Sequence, residues 1–493
     1  MEKLDSFNPR TGGLIGSVVV TQPEEVPDVV QRSRTAFSQW SAMGHDERRR
    51  YLKAFKKTLL GNMDRLAEML HEEAGKDRAD AYVGDVTPAI GLVDYYARNA
   101  EKLLRPRRAS TRPMVMTRGW TEYHPRGVVA VIPSYNFPLI LTLVSVVPAL
   151  ASGCSVILKP SELVPLTGQL IADLFEEAGF PPDLVQVIQG GAETGASLVG
   201  SDVDLIVFTG SPETGRKIAA AAADKLTPTI LELGGKDAMI VLEDADIVQA
   251  ARGAVWGSTL NAGQVCISVE RVYVVEGVAQ PFLEELERAM DEVTAGTGDR
   301  RDVGAIIDPK QTAIIASHVT DALSKGATLR RGGNEVASTS GSFFEPTLLT
   351  GVDHSMKVMT EETFGPVVAV MQVPDEETAL RFANDSRYGL HGSVWSKDKR
   401  RAATFASRLH TGTVAINDHM INLYIPDLAF GGVKDSGFGV ECGPEGIRSF
   451  CYLQSFTSPR WISTSRLLLG GRWNPRRFGP RYWRRFAHLL YRW

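Results

Sequence analysis

Between residues 128 and 231 the sequence alternates short, wholly apolar runs with longer segments of helical periodicity. Few folds accommodate this pattern. The runs are 128–132, 155–158, 185–188, 205–208 and 229–231. Runs this short, apolar on both faces and separated by helices, predict strands of a parallel sheet joined by crossover helices. A second series extends from Ala238 to about Asn417, with strands predicted at 238–241, 271–275, 367–370, 392–395 and 414–416. Two α/β lobes place the expected active site in the cleft between them. Upstream, residues 23–105 read as mostly helical, with apolar faces marked by Ala36, Phe37 and Trp40, then by Tyr51, Leu52, Phe55 and Leu59.

Composition excludes several classes. With 43% hydrophobic and 23% charged residues, wholesale disorder is ruled out. The length of 493 residues suits two to four domains. The four cysteines (154, 266, 442 and 451) form no CxxC pair. A disulfide framework and a structural zinc site are therefore not expected, and no metal site is predicted. The charged start, Met1 to Asp5, lacks the apolar run of a signal peptide, which predicts a reducing, cytoplasmic setting. Residues 137–158 are apolar enough to suggest a membrane span. However, Pro138, Pro148 and the Ala151-Ser152-Gly153 stop favour a buried helix followed by a buried strand.

Charge is unevenly distributed. From Gly446 to Trp493 there are ten Arg and no Lys, Asp or Glu; removing them from the net of −4 leaves −14 on the first 445 residues. In this tail Tyr482, Phe486, Leu489, Leu490 and Trp493 recur at helical spacing, with Arg481, Arg484, Arg485, His488 and Arg492 between them. A short amphipathic helix is predicted. It either packs on its own body or a neighbouring acidic subunit, or makes peripheral contact with an anionic membrane through residues 479–493. No nucleic-acid motif accompanies the charge, so no nucleic-acid partner is expected.

Four segments carry candidate chemistry. In Asn261-Ala262-Gly263-Gln264-Val265-Cys266, a glycine permits a tight turn ahead of a cysteine. Cys266 is then a nucleophile, or else a small buried hydrophobe. Glu232 ends a predicted strand before Gly234-Gly235-Lys236, and a carboxylate there faces the ligand crevice. It is a general base, or a partner of Lys236 or another cation. Phe208-Thr209-Gly210-Ser211-Pro212 reads as strand, glycine turn and helix start, a setting suited to a pyrophosphate. Lys159 and Glu162 follow another strand, either to hold ribose hydroxyls or as a surface turn.

Taken together, these segments resemble the aldehyde dehydrogenase superfamily over roughly residues 6–456. The match includes Asn136-Phe137-Pro138 and Glu361-Glu362-Thr363-Phe364-Gly365-Pro366. The resemblance implies two Rossmann-like lobes and a small β oligomerisation arm. It also implies boundaries: 1–106 with 125–233 for NAD(P) binding, 234–435 for catalysis, 107–124 with 448–459 for the arm, and 460–493 as a basic aromatic extension. By the same resemblance Cys266 is the nucleophile, Asn136 contributes the oxyanion hole and Glu232 activates water. Lys159 and Glu162 hold the adenosine ribose, Gly210 and Ser211 the pyrophosphate, and Glu362 and Phe364 the nicotinamide ribose. The implied cofactor is NAD, with NADP as the alternative because Glu162 would repel a 2′-phosphate. A homodimer or homotetramer is implied.

The implied reaction is oxidation of an aldehyde to a free acid. One bacterial branch with a similar Cys266-Ile267-Ser268-Val269-Glu270-Arg271 stretch is named for succinate semialdehyde. A better-defined branch for that substrate carries Arg eight residues after the catalytic Asn, where this chain has Val144. Leu141, Leu143 and Val144 favour an apolar or aromatic aldehyde, because a carboxylate among them would lack a partner. Tyr135, where the family often has Trp, is expected to alter the substrate tunnel. His419 and the Arg-rich tail are the remaining candidate cations. The third reading is a non-catalytic protein built on this fold.

Overall fold

The computed structural model describes residues 2–112, 114–296, 302–336, 341–461, 463 and 479–491. Its first large sheet has the order Gly437–Phe438, Thr229–Glu232, Leu205–Thr209, Val128–Ile132, Ser155–Leu158, Val185–Val187. All neighbours are parallel except the two-residue edge strand Gly437–Phe438. Side-chain alternation splits the strand Val128–Ile132 between two cores. Val129 and Val131 pack beneath the helices Thr87–Leu104 and Ile140–Ser152, while Val128, Ala130 and Ile132 face the opposite cluster with Val26, Val29 and Val30. Burial on both faces is why these strands read as unbroken apolar runs.

The chain starts this sheet at Val128–Ile132, builds outward through Ser155–Leu158, then returns to the other side with Leu205–Thr209. The switch opens a crevice beyond the strands' C-terminal ends, flanked by the segments carrying Asn136 and Gly210.

The second sheet runs Thr328–Arg331, Thr347–Thr350, Val367–Val373, Val269–Val275, Asp237–Val241, His391–Trp395, Thr413–Ile416. Only Thr328–Arg331 is antiparallel to its neighbour. The chain passes from the end of one sheet at Glu232 to the start of the other at Asp237 through four residues. The C-terminal ends of the first sheet therefore face the N-terminal ends of the second. A smaller antiparallel sheet joins Arg107–Ala109, Thr117–Pro125 and Cys451–Pro459.

Residues 140–152 form a helix with every residue buried, ending on Gly153 at φ +107° before the strand Ser155–Leu158. Among the described residues no helix is long and apolar enough to cross a membrane. Several strands carry no clear sequence signal. Thr328–Arg331 is half charged, as edge strands often are, and Gly437–Phe438 is too short to show a period. The strand predicted at 185–188 ends at Val187. The tail forms the helix Pro480–Leu490.

Candidate active site

Three consecutive residues before Cys266 lie in the left-handed region: Asn261 (φ +50°), Ala262 (φ +58°) and Gly263 (φ +71°). Such a run is costly for non-glycine residues, so the surroundings must hold it. The Asn261 amide N–H donates to Asp80 Oδ2 at 2.9 Å, and Asn261 Nδ2 donates to the Asn136 carbonyl at 2.9 Å. Buried Gln264 donates to the Asn261 and Ala305 carbonyls and accepts from the Ile307 amide. Gly263 has no alternative, because a Cβ there would collide with the Gly365 carbonyl. The turn delivers Cys266 half-buried, whereas Cys154, Cys442 and Cys451 are all buried. Cys266 packs against the edge of the core that encloses Cys154, Cys442 and Cys451 and is the most accessible of the four.

Asn136 comes to the same point from the first sheet. One of its side-chain N–H groups donates to the Gln264 carbonyl at 2.9 Å. Its backbone carbonyl accepts from Lys76 Nζ at 2.6 Å. Lys76 is fully buried, with its ammonium 3.7 Å from the centre of the Phe137 ring and 3.9 Å from Asp85. Asp85 in turn accepts from the Ile140 amide at 2.6 Å, at the start of the buried helix. The charge of Lys76 is thus committed to Asp85, Phe137 and the Asn136 carbonyl.

Glu232 ends its strand only 3% exposed, and among the described residues neither carboxylate oxygen has a hydrogen-bond partner. It does not pair with Lys236, which is bonded to Glu270 and to Thr363 Oγ1. Burial, together with the charge of Glu441, pushes the Glu232 pKa well above the usual carboxylate value. Glu441 is itself buried, accepts from Ser145 Oγ at 2.6 Å and is pushed up to about 7. The Cys266 thiol is also raised, by burial and by the nearby charges of Asp237, Glu362 and Glu232. A thiol in that setting needs a base to take its proton.

The proposed cofactor residues line the same crevice. Lys159, 4% exposed, directly follows the strand Ser155–Leu158, and its Nζ lies 3.6 Å from the half-exposed Glu162 carboxylate. Lys159 is too buried for a surface turn, whereas Glu162 is exposed in one. The Gly210 amide donates to the Glu232 carbonyl at 3.0 Å, and Ser211 caps the helix Pro212–Ala223 by accepting from the Thr214 amide. Glu362 accepts from the Gly235 amide at 2.9 Å, and burial with the neighbouring Glu270 pushes it up to about 8. Phe364 sits at φ +50°, its loop fixed by Glu270 accepting from the Thr363 and Phe364 amides. A lysine and a carboxylate able to donate to and accept from ribose hydroxyls, a capped helix start and a deep carboxylate fit the polar parts of a dinucleotide. Among the described residues no cluster suited to a metal ion occurs.

Some readings change. His419 is fully buried; its rings nitrogens engage Ser393 Oγ and the Ile267 carbonyl, and burial lowers its pKa to about 4. It is neutral and cannot serve as a cation for a carboxylate. Leu143 is fully buried in the core, Val144 nearly so, and Leu141 is the least buried of the three. Tyr135 meets the Phe364 ring edge-on at 6.2 Å and packs near Leu163, so it borders the cofactor residues. Sequence reasoning missed Lys76, Asp237, Glu270 and Glu441; their only signal is a charged residue inside or beside an apolar stretch.

Iodoacetamide should therefore alkylate Cys266 in the native chain, and the other three cysteines only after denaturation. Peptide mass spectrometry reads this. Native labelling of Cys154, Cys442 or Cys451 at a comparable rate would contradict the site.

The Aldehyde dehydrogenase family model matches residues 1–456. The chain is 41% identical over 458 residues to the 4,4'-diapolycopene aldehyde oxidase of Methylomonas sp, covering 92% of this chain and 85% of that one. It is 35% identical over 451 residues to the mitochondrial succinate-semialdehyde dehydrogenase of Arabidopsis thaliana, covering 90% and 84%. Among solved structures it resembles the NAD-dependent aldehyde dehydrogenase from Sinorhizobium meliloti, with a TM-score of 0.90, 31% identity and coverage of 94% and 92%. An E. coli NADP dependent enzyme gives 0.89, 32%, 93% and 95%. With a crevice between two α/β sheets and a match over nearly its whole length, this chain belongs to the aldehyde dehydrogenase family.

Proposed function

We propose that the chain oxidises an apolar aldehyde to its carboxylic acid, with Cys266 as nucleophile, Asn136 as oxyanion donor and Glu232 as base. The observation that carries this reading is the buried Glu232 carboxylate, unpaired on both oxygens among the described residues, at the end of a strand whose following turn packs at Gly235 on the Cys266 carbonyl. A structural carboxylate would be paired.

The reaction begins when Glu232, in its ionised form, removes the Cys266 proton. The thiolate bonds to the aldehyde carbon. The oxygen, now anionic, receives hydrogen bonds from the Asn136 side-chain amide and the Cys266 backbone N–H. Collapse of this oxyanion to the Cys266 thioester requires a hydride acceptor, the chemistry that a bound NAD would supply. Glu232 passes the first proton to solvent and, ionised again, takes one from water; the hydroxide adds to the thioester carbon, the C–S bond breaks to release the acid and the Cys266 thiolate, and Glu232 returns its proton to the sulfur. Lys159 and Glu162 would hold the adenosine ribose, Gly210 and Ser211 the pyrophosphate, and Glu362 and Phe364 the other ribose. The Glu162 carboxylate disfavours a 2′-phosphate and so favours NAD over NADP.

The described groups that could meet a substrate carboxylate support an apolar substrate instead. The helix Ile140–Ser152 carries no charged side chain, His419 is neutral, and Lys76 is committed elsewhere. A substrate carboxylate would be desolvated without compensation. The relative named for a diapolycopene aldehyde supports this reading, since diapolycopene is a hydrocarbon. The relatives named for succinate semialdehyde favour that alternative.

Two measurements test these assignments. With NAD, kcat/KM for hexanal or benzaldehyde should exceed that for succinic semialdehyde by about tenfold or more, roughly the 1.4 kcal/mol of a tenfold ratio. A tenfold preference for the semialdehyde would overturn the apolar assignment. Separately, Glu441 raises the pKa of Glu232, so removing its charge lets Glu232 ionise at lower pH. Glu441→Gln should therefore move the alkaline-rising limb of the kcat profile towards acid. A limb that stays in place would exclude Glu441 as a neighbour that tunes the base.

A further inference from the structure

The segment after residue 456 lies outside the family match, yet it carries most of the chain's charge asymmetry. Residues 446–493 contribute ten Arg and no acidic residue to a chain whose other 445 residues carry −14. Within this segment the structure forms the helix Pro480–Leu490.

At 100° per residue, the helix separates its residues sharply. Leu489, Tyr482, Phe486, Leu490, Trp483 and Ala487 fall on one arc of roughly 160°. Arg484, His488, Arg481 and Arg485 fall on the opposite arc of about 100°. Arg481, Arg484, Arg485 and His488 are all exposed. Tyr482 and Trp483 meet edge-on at 5.8 Å, and both are more than a third exposed.

We propose that this helix docks the enzyme on an anionic lipid surface, lying in the plane of the membrane with its apolar arc at the acyl boundary. Eleven residues rise about 16 Å, roughly half the hydrocarbon thickness, so the helix lies on the bilayer and does not span it. An acidic body is repelled by anionic lipid, so the attraction has to come from the arginine arc. Aromatic residues beside arginines suit the headgroup boundary, where one edge of the helix is wet and the other apolar. A contact with an acidic protein surface would satisfy the arginines but give the wide apolar arc no comparable environment. The inference rests on the apolar-aldehyde reading in one respect: such substrates partition into lipid, so docking brings the active site to where they concentrate.

The test uses the full chain, a form lacking residues 479–493, and the variant Arg481→Glu/Arg484→Glu/Arg485→Glu. Each is sedimented with phosphatidylcholine vesicles, with and without an equal share of phosphatidylglycerol. The full chain should bind the anionic vesicles at least tenfold more than the neutral ones and release in high salt. Both altered forms should lose that binding while oxidising hexanal at the parent rate. Oxidation of a long-chain aldehyde presented in anionic vesicles should fall in both. Equal binding by all three proteins overturns the proposal. So does a parent that ignores anionic vesicles while the altered forms change only oligomer mass, which assigns the helix to another subunit. Hexanal inactivity of the parent would instead count against the proposed function and leave the vesicle result to stand separately.

Discussion

The hydrogen bonds converging on the Asn136 carbonyl and the Gln264 side chain are the constraint on which the site depends. They join the first sheet's crevice to the loop ahead of the second sheet. Through them Lys76, Asn261 and Asp80 hold a left-handed turn that neither Asn261 nor Ala262 would adopt alone. Without that turn Cys266 would have no fixed relation to Asn136. The same turn packs against Gly365, so the loop carrying Glu362 and Phe364 is referenced to the same point. The residues proposed as nucleophile, oxyanion donor and ribose-binding loop are thereby set by one network.

Electrostatics in the crevice favour neutral groups at rest. Glu232, Glu362, Glu441 and Asp237 are all raised by burial, and the thiol rises with them. Charge appears there at a cost unless a proton is passed or a bound group compensates. That is a suitable state for a site that moves one proton between sulfur, carboxylate and water. The buried imidazoles of His391 and His419, with centroids 4.6 Å apart, extend the same rule behind the catalytic loop: both are lowered and neutral.

Much of this was legible in the sequence because the strands are buried on both faces. Residues 128–132 and 155–158 leave an unambiguous apolar signature, and chemistry follows at strand ends: Lys159 after one, Glu232 at the end of another. The mixed sheet's rim was less legible. Thr328–Arg331 and Gly437–Phe438 are held by neighbours rather than by their own pattern. Lys76 and Glu441 escaped notice because nothing local distinguishes a buried charge from a solvated one; each acquires meaning only from residues far along the chain, Asn136 for one and Ser145 for the other. His419 was misread for the same reason, since only the fold shows that it is enclosed.

The covalent step at Cys266 is the central claim, and its most direct measurement is trapping the acyl-enzyme. In Glu232→Gln the Cys266 thiolate has to form without this base, slowly and at alkaline pH; once hydride has left, no carboxylate activates water, so the thioester should accumulate. Mixing that variant with NAD and hexanal, then quenching in acid, should give at most one NADH per subunit and a hexanoyl mass increment on the peptide carrying Cys266. Continued turnover without a covalent adduct, or an adduct on another cysteine, would contradict it.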